Sequence, residues 1–173
     1  MYRCENYTTE DIKYILDNLR EEDKLEAIEN KGENFKEVII DEIQKNKNQK
    51  ILVGKTKKDD IPVLMYGCWQ LKENPAVGII WMLSTPEIEK HQICFLREMK
   101  KELKKYDELY GLTFNYLHKN NSLAKKWLKW AGFRFPKKRR KQTYLDKYFL
   151  SAQIPKDYEI FYRERKIIGL GEV

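Results

Sequence analysis

Through the first fifty residues, apolar positions recur with a helical period. Thr8 or Thr9 stands as an N-cap before acidic Glu10 and Asp11, and Ile12, Ile15, Leu16 and Leu19 follow at i, i+3, i+4 and i+7. Leu25, Ala27 and Ile28 extend the helical pattern to Gly32, a residue suited to ending a helix. Asn34 then caps a helix with Phe35, Val38, Ile39 and Ile43 on one stripe. The period changes near residue 50. Residues 50–56 and 63–71 read as strands separated by the turn Lys57-Lys58-Asp59-Asp60, and Glu73-Asn74-Pro75 turns the chain into a third strand at 77–83. That third strand is apolar on both faces, as a strand covered from two sides must be.

Pro86 suits the first turn of a helix over 87–106, with Ile93, Leu96, Met99 and Leu103 on its stripe and Phe95 near the edge. A strand at 109–118, a helix from Ser122 to Ala131 ending at Gly132, and an alternating Phe133-Arg134-Phe135 follow; Tyr158–Tyr162 reads as a last strand. The order is one short strand, two or three helices, three antiparallel strands, a long helix, then strand, helix and strands. It predicts a mixed α/β (α+β) protein with a mostly antiparallel sheet flanked by helices. The 173 residues fit one domain over 1–173: a core to about 136, a basic loop at 137–141 and a strand-bearing tail at 142–173.

Composition narrows the classes. Hydrophobic residues make up 42% and aromatics 13%, enough to fill a core without metals or disulfides and to argue against disorder. Cys4, Cys68 and Cys94 form no C-x-x-C pair and read as reduced core residues of a cytoplasmic protein; His91 and His118 are too few to suggest a metal site. The N-terminus has no apolar leader, and no window reaches a membrane span, so no membrane partner is expected. A net charge of +7 suits nucleic acid, a phosphorylated cofactor or an acidic partner, and equally suits plain solubility. The five consecutive bases Lys137 to Lys141 could touch nucleic-acid phosphates weakly and without sequence preference.

The chemistry-bearing segment is the strand–helix–strand joint at 109–133. Asn121 stands where strand passes to helix, Ala124 allows close helix packing, Gly132 can cap in the left-handed region and Phe133 starts the next segment. The frame Asn121, Ala124, Leu128, Gly132, Phe133 resembles the signature of the GNAT superfamily of N-acetyltransferases. A narrower likeness spans residues 1–136. It rests on Leu19-Arg20-x-x-Asp23-x-x-Glu26, Gly78 to Thr85, Phe95-Leu96-Arg97 and Trp127 to Phe133, and it is to GNAT-like proteins of tailed phages, some of them acetyltransferases and others internal virion proteins.

The resemblance implies acetyl or acyl transfer from acetyl-CoA to an amine acceptor by direct attack. Trp81, Met82 and Leu83 would line the cofactor, Lys90, Gln92 and Asn121 would help bind it, and Glu26 or Asp23 would be the general base or hold the acceptor. Tyr116, His118 and Tyr144 are candidates for the acid that protonates the leaving thiolate. Arg20, Asp23 and Glu26, three residues apart, share one helix face, which could equally be a solvated charged surface. Two features depart from the family pattern. The segment 86–94 has no glycine where the pyrophosphate loop carries several, and Leu128 replaces the Tyr common there. These departures suit the alternative of a non-catalytic GNAT-fold virion component or interaction protein in the host cytoplasm or the virion.

Overall fold

The computed structural model describes residues 2–4, 6–46, 50–136 and 155–165. The elements run β1 (Tyr2–Cys4), α1 (Thr9–Asp17), α2 (Glu21–Lys31), α3 (Phe35–Lys45), β2 (Leu52–Lys55), β3 (Pro62–Leu71), β4 (Asn74–Ser84), a 3₁₀ turn at Pro86–His91, α4 (Gln92–Leu109), β5 (Leu112–His118), α5 (Ser122–Trp130) and β6 (Tyr158–Glu164). The six strands form one sheet in the order β1-β2-β3-β4-β5-β6. Every neighbouring pair is antiparallel except β4–β5, which is parallel and joined through the crossover helix α4. The mixed α/β class and the element order match the sequence expectation. The basic run 137–141, Tyr144 and most of the tail lie outside the described residues.

The sheet is covered on both faces. Ile12, Ile15 and Leu16 of α1, Ala27 of α2 and Phe35, Ile39 and Ile43 of α3 pack on one face against Val53, Met65, Trp81 and Leu83. Leu103 and Tyr106 of α4 and Ala124 of α5 pack on the other with Cys68, Ile80 and Leu117. Phe95 of α4 meets Trp127 of α5 there, with ring centroids 5.0 Å apart. The alternation along β4 divides Trp81 and Leu83 from Ile80 and Met82, as a doubly covered strand requires.

Thr8 caps α1: its hydroxyl accepts from the Asp11 N–H while the Asp11 carboxylate accepts from the Thr8 N–H. Gly32 and Gly132 end α2 and α5 with φ of 85° and 91°, where a side chain would be strained. Several local expectations change. Asn34 makes no side-chain cap bond. The long helix begins at Gln92, because Pro86–His91 winds as a 3₁₀ turn. Its buried line is Phe95, Leu103 and Tyr106 with Met99, steps of four and three residues that stay on one face. Ile93, six positions from Met99, points away and is 74% exposed. Cys68 is buried and its thiol is pushed up to about 12 by burial, whereas Cys94 is exposed and so is no core residue. Residues 133–135, expected as alternating strand, contribute only an isolated bridge, Arg134 to Tyr162, on the edge of β6 that β5 leaves free. Among the described residues, no helix is long and apolar enough to cross a membrane, and no group of three His, Cys, Asp or Glu side chains could hold a metal ion.

Candidate active site

β4 and β5 pair only at Val77–Leu112, Gly78–Thr113 and Ile79–Phe114. Beyond that point the strands part. β4 stays with β3 as far as Ser84, and β5 stays with β6 as far as His118. The Asn115 amide marks the fork by donating to the Ile80 carbonyl at 2.7 Å. Strand alternation then fixes the free edge: Ile80 and Ser84 direct their backbone groups away from β3, so Met82 between them turns its N–H and C=O into the gap.

The gap continues as a cavity of about 410 Å³ that reaches both faces of the sheet. Glu26, Asn30, Trp69, Trp81 and Tyr116 line its α2 side, and Met82, Met99, Leu103, Trp127 and Leu128 its α4–α5 side. Trp81 leans over Gly67, where an added Cβ would lie 3.0 Å from the indole, and meets Trp69 edge-on at 5.8 Å.

α2 spans the mouth of the fork through one polar face. The Asp23 carboxylate accepts from the Ser84 N–H at 2.9 Å and hydroxyl at 2.8 Å, and from Arg20 at 2.7 Å. The Arg20 N–H donates to the Ser84 carbonyl at 3.0 Å, and its guanidinium lies 5.4 Å from the Trp127 ring centroid. One turn on, Glu26 accepts from the Asn121 amide at 2.9 Å, while the Asn121 carbonyl accepts from the Ala124 N–H as the cap of α5. At the end of α2, Glu29 accepts from the Tyr158 hydroxyl at 2.6 Å. The face Arg20–Asp23–Glu26 is therefore no solvated surface: Arg20 is 2% and Asp23 6% exposed. The spacing was legible, but the burial was not, because the partners Ser84 and Asn121 lie 61 and 95 residues from the α2 carboxylates they meet. For the same reason the sequence did not show that the Asn121 amide points inward to Glu26.

The electrostatics follow from this burial. Desolvation raises the Glu26 carboxyl to about 7, helped by the neighbouring Asp23 charge and opposed by the bond from Asn121. Burial alone would lower the Arg20 guanidinium; its bonds to Asp23 outweigh that and hold it charged. Burial also raises the Tyr116 phenol, so it stays protonated at neutral pH.

Of the residues singled out from the sequence, Asp23, Glu26, Trp81, Met82, Leu83, Tyr116 and Asn121 all meet at this cavity. Lys90 and Gln92 do not line it. Lys90 pairs with Glu87 at 2.8 Å, and Gln92 bonds the Glu89 carbonyl at 3.0 Å. His118 stacks edge-on with Tyr158 at 5.3 Å. Sequence reasoning missed Trp69, Ser84, Trp127 and Tyr158. Only the small polar Ser84-Thr85 pair closing an apolar strand offered a hint of them.

No family model and no curated relative matches the sequence. Solved structures do match the shape. The spermidine N-acetyltransferase of Vibrio cholerae, solved with CoA and spermine, superposes with a TM-score of 0.64 over 95% of each chain at 8% identity. The fold is the GNAT acetyltransferase fold. The ribosomal-protein-alanine N-acetyltransferase of Brucella melitensis superposes with a TM-score of 0.59 over 95% of this chain and 99% of its own at 12% identity. The PaiA N-acetyltransferase of Thermoplasma acidophilum, solved with coenzyme A, reaches 0.56 over 94% and 98% at 15% identity. Within this GNAT fold, the parted β4–β5 pair and the polar strap of α2 are the two features that shape the cavity.

Proposed function

We propose that the chain is a one-domain acyltransferase that moves an acyl group from acyl-CoA to an amine by direct attack. The observation that carries the reading is the fork itself, a slot through the sheet with an unpaired strand edge at Met82 and a carboxyl poised near neutrality at its far side. The pantetheine arm fits this slot: Met82 offers a backbone donor and acceptor, and Met99, Leu103 and Leu128 offer apolar walls. The pyrophosphate end fits less well. The 3₁₀ turn Pro86–His91 has no glycine to allow close approach, and Glu87 there is held by Lys90 and His91.

Bound acyl-CoA supplies a thioester whose carbonyl carbon the amine attacks and whose thiolate leaves. Glu26, ionised above about pH 7, takes the proton from the acceptor's ammonium and so frees the amine lone pair for attack. Asp23 has both oxygens engaged by Arg20 and Ser84, which assigns it to holding α2 and leaves Glu26 as the base. Asn121 orients Glu26. Tyr116, kept protonated by burial, is the donor nearest in role to the Tyr that Leu128 replaces.

Calorimetric titration with acetyl-CoA tests the reading. Binding that is lost when the slot is filled by Leu128→Trp, together with thiol release when amines are added, supports it. Absence of binding at millimolar acetyl-CoA would overturn it and leave a GNAT scaffold kept for its surface, the role that fits the virion branch of the sequence likeness.

A further inference from the structure

The rim of the α4–α5 face carries a feature that acyl transfer does not use. Trp130, the last residue of α5, leaves its indole 49% exposed. The Lys100 ammonium of α4 sits 4.0 Å from its ring centroid. Nearby, Lys125 and Lys129 stand over the Phe135 ring at 5.2 and 5.9 Å. Lys125 is paired with Glu159. Among the described residues, Lys100, Lys126 and Lys129 have no carboxylate partner. Lys129 complements the negative end of α5, but Lys100 and Lys126 have no such explanation.

The charge pattern of the surrounding sequence has the same sign. From Leu109 to Leu145 there is no Asp or Glu, while Lys119, Lys125, Lys126, Lys129, Arg134 and all five residues from 137 to 141 are basic. Elsewhere the two signs are interspersed, and surface lysines such as Lys31, Lys45 and Lys101 find carboxylates. Here Lys125 and Arg134 meet Glu159 and Glu164, but Lys100, Lys126 and Lys129 have no acid among the described residues to offset their repulsion, and a large indole is left in water besides. A polyanion carrying flat aromatic units relieves both costs together.

We propose that α5, with the Lys100–Trp130 pair, is a binding surface for single-stranded nucleic acid. Lys100, Lys126 and Lys129 engage phosphates, and one base stacks on Trp130. A base on the indole with its phosphate beside Lys100 exchanges one cation–π contact for a stacking contact and an ion pair. The contact reads no sequence, because any base offers a π-face. It favours single strands, because a paired base has its faces already covered. The surface is separate from the slot at Met82 and stands whether or not acyl-CoA binds there.

The test is fluorescence anisotropy of the full chain with a fluorescein-labelled 20-nucleotide oligothymidylate. Binding should weaken by roughly tenfold between 50 and 200 mM salt, as about three released counterions require. Tryptophan emission should be quenched on binding, and Trp130→Ala should abolish most of the quench and weaken binding about fivefold or more. The double variant Lys126→Glu/Lys129→Glu should weaken it at least about tenfold. Both sites are exposed, so thermal melts should match the wild type and separate lost binding from lost fold. Four results would overturn the proposal: no binding at 50 mM salt, unchanged binding by both variants, equal affinity for the corresponding duplex, or displacement by millimolar CoA, which would assign these bases to the cofactor instead.

Discussion

The two faces of the fork are built on opposite principles. On the α2 side, Arg20, Asp23, Glu26, Ser84 and Asn121 form a connected polar network, with Tyr158 bonded to Glu29 beside it, while the Arg20 Nη1 and the Trp69 and Trp81 indole nitrogens are left without a partner among the described residues. On the α4–α5 side, the walls are mainly Met82, Phe95, Met99, Leu103, Trp127 and Leu128, with one buried charge, Glu102, paired with Lys105. A polar network in a low dielectric fixes geometry and shifts proton affinities, whereas an apolar wall holds a flexible arm and excludes water. One slot thus joins a side suited to moving a proton to a side suited to gripping a thioester, and the unpaired edge of β4 lies between them.

The largest expected effect comes from breaking the polar side. Arg20→Ala strips the Asp23 carboxylate of its buried cation and should destabilise the fold by about 3–5 kcal/mol, read from urea unfolding. A loss under about 1 kcal/mol would mean that water reaches the pair. Glu26→Gln leaves the amide bond from Asn121 possible but removes the base; kcat/KM should fall by about 10² or more, as loss of a general base does. In the wild type, kcat/KM should decline below about pH 7 as Glu26 protonates, and the variant should lose that limb.

The same carboxyl makes a prediction about stability. Its folded pKa lies above the unfolded value of 4.5, so between pH 4.5 and about 7 the folded state keeps a proton that the unfolded chain has shed. The contribution of Glu26 is therefore most favourable below pH 4.5 and is lost as the pH rises to about 7. Glu26→Gln should match the wild type in acid and melt at a higher temperature above pH 7; the reverse order would refute the burial argument.

Two glycines compare the faces more finely. A Cβ on Gly78 would lie 2.6 Å from the Cys68 sulfur and 2.8 Å from the Tyr110 ring on the α4–α5 side. Gly78→Ala should cost about 1–3 kcal/mol through overpacking. A Cβ on Gly67 meets the Trp81 indole at 3.0–3.1 Å, which a small shift of the ring relieves. Gly67→Ala should thus cost less stability than Gly78→Ala, while raising KM for the acceptor more than it lowers kcat. Ile93→Lys, on the outward side of α4, should change stability by no more than about 0.5 kcal/mol, confirming that the apolar wall begins at Phe95.

Much of this was legible along the chain. Local periodicity carried the helices, the three antiparallel strands and the Asn121–Gly132 joint, because spacing of 3.6 or 2 residues decides which side chains share a face. The Thr8 cap and the glycines at 32 and 132 were equally local. Ile93 was misplaced because it is apolar and adjacent to the right stripe, and only the phase of the helix against the sheet separates it from Phe95. Asp23 and Glu26 were found by spacing, yet their setting was not.

What the sequence determined by itself is therefore the set of elements, their order and the residues that share each face. What only the tertiary structure decided is what lies opposite each face. The parting of β4 from β5, the burial of Arg20 and Asp23, the raised Glu26 carboxyl and the continuous slot all depend on contacts across 35 to 130 residues. Periodicity carries no information about such distances, because a carboxylate has the same spacing whether water or a strand end stands before it.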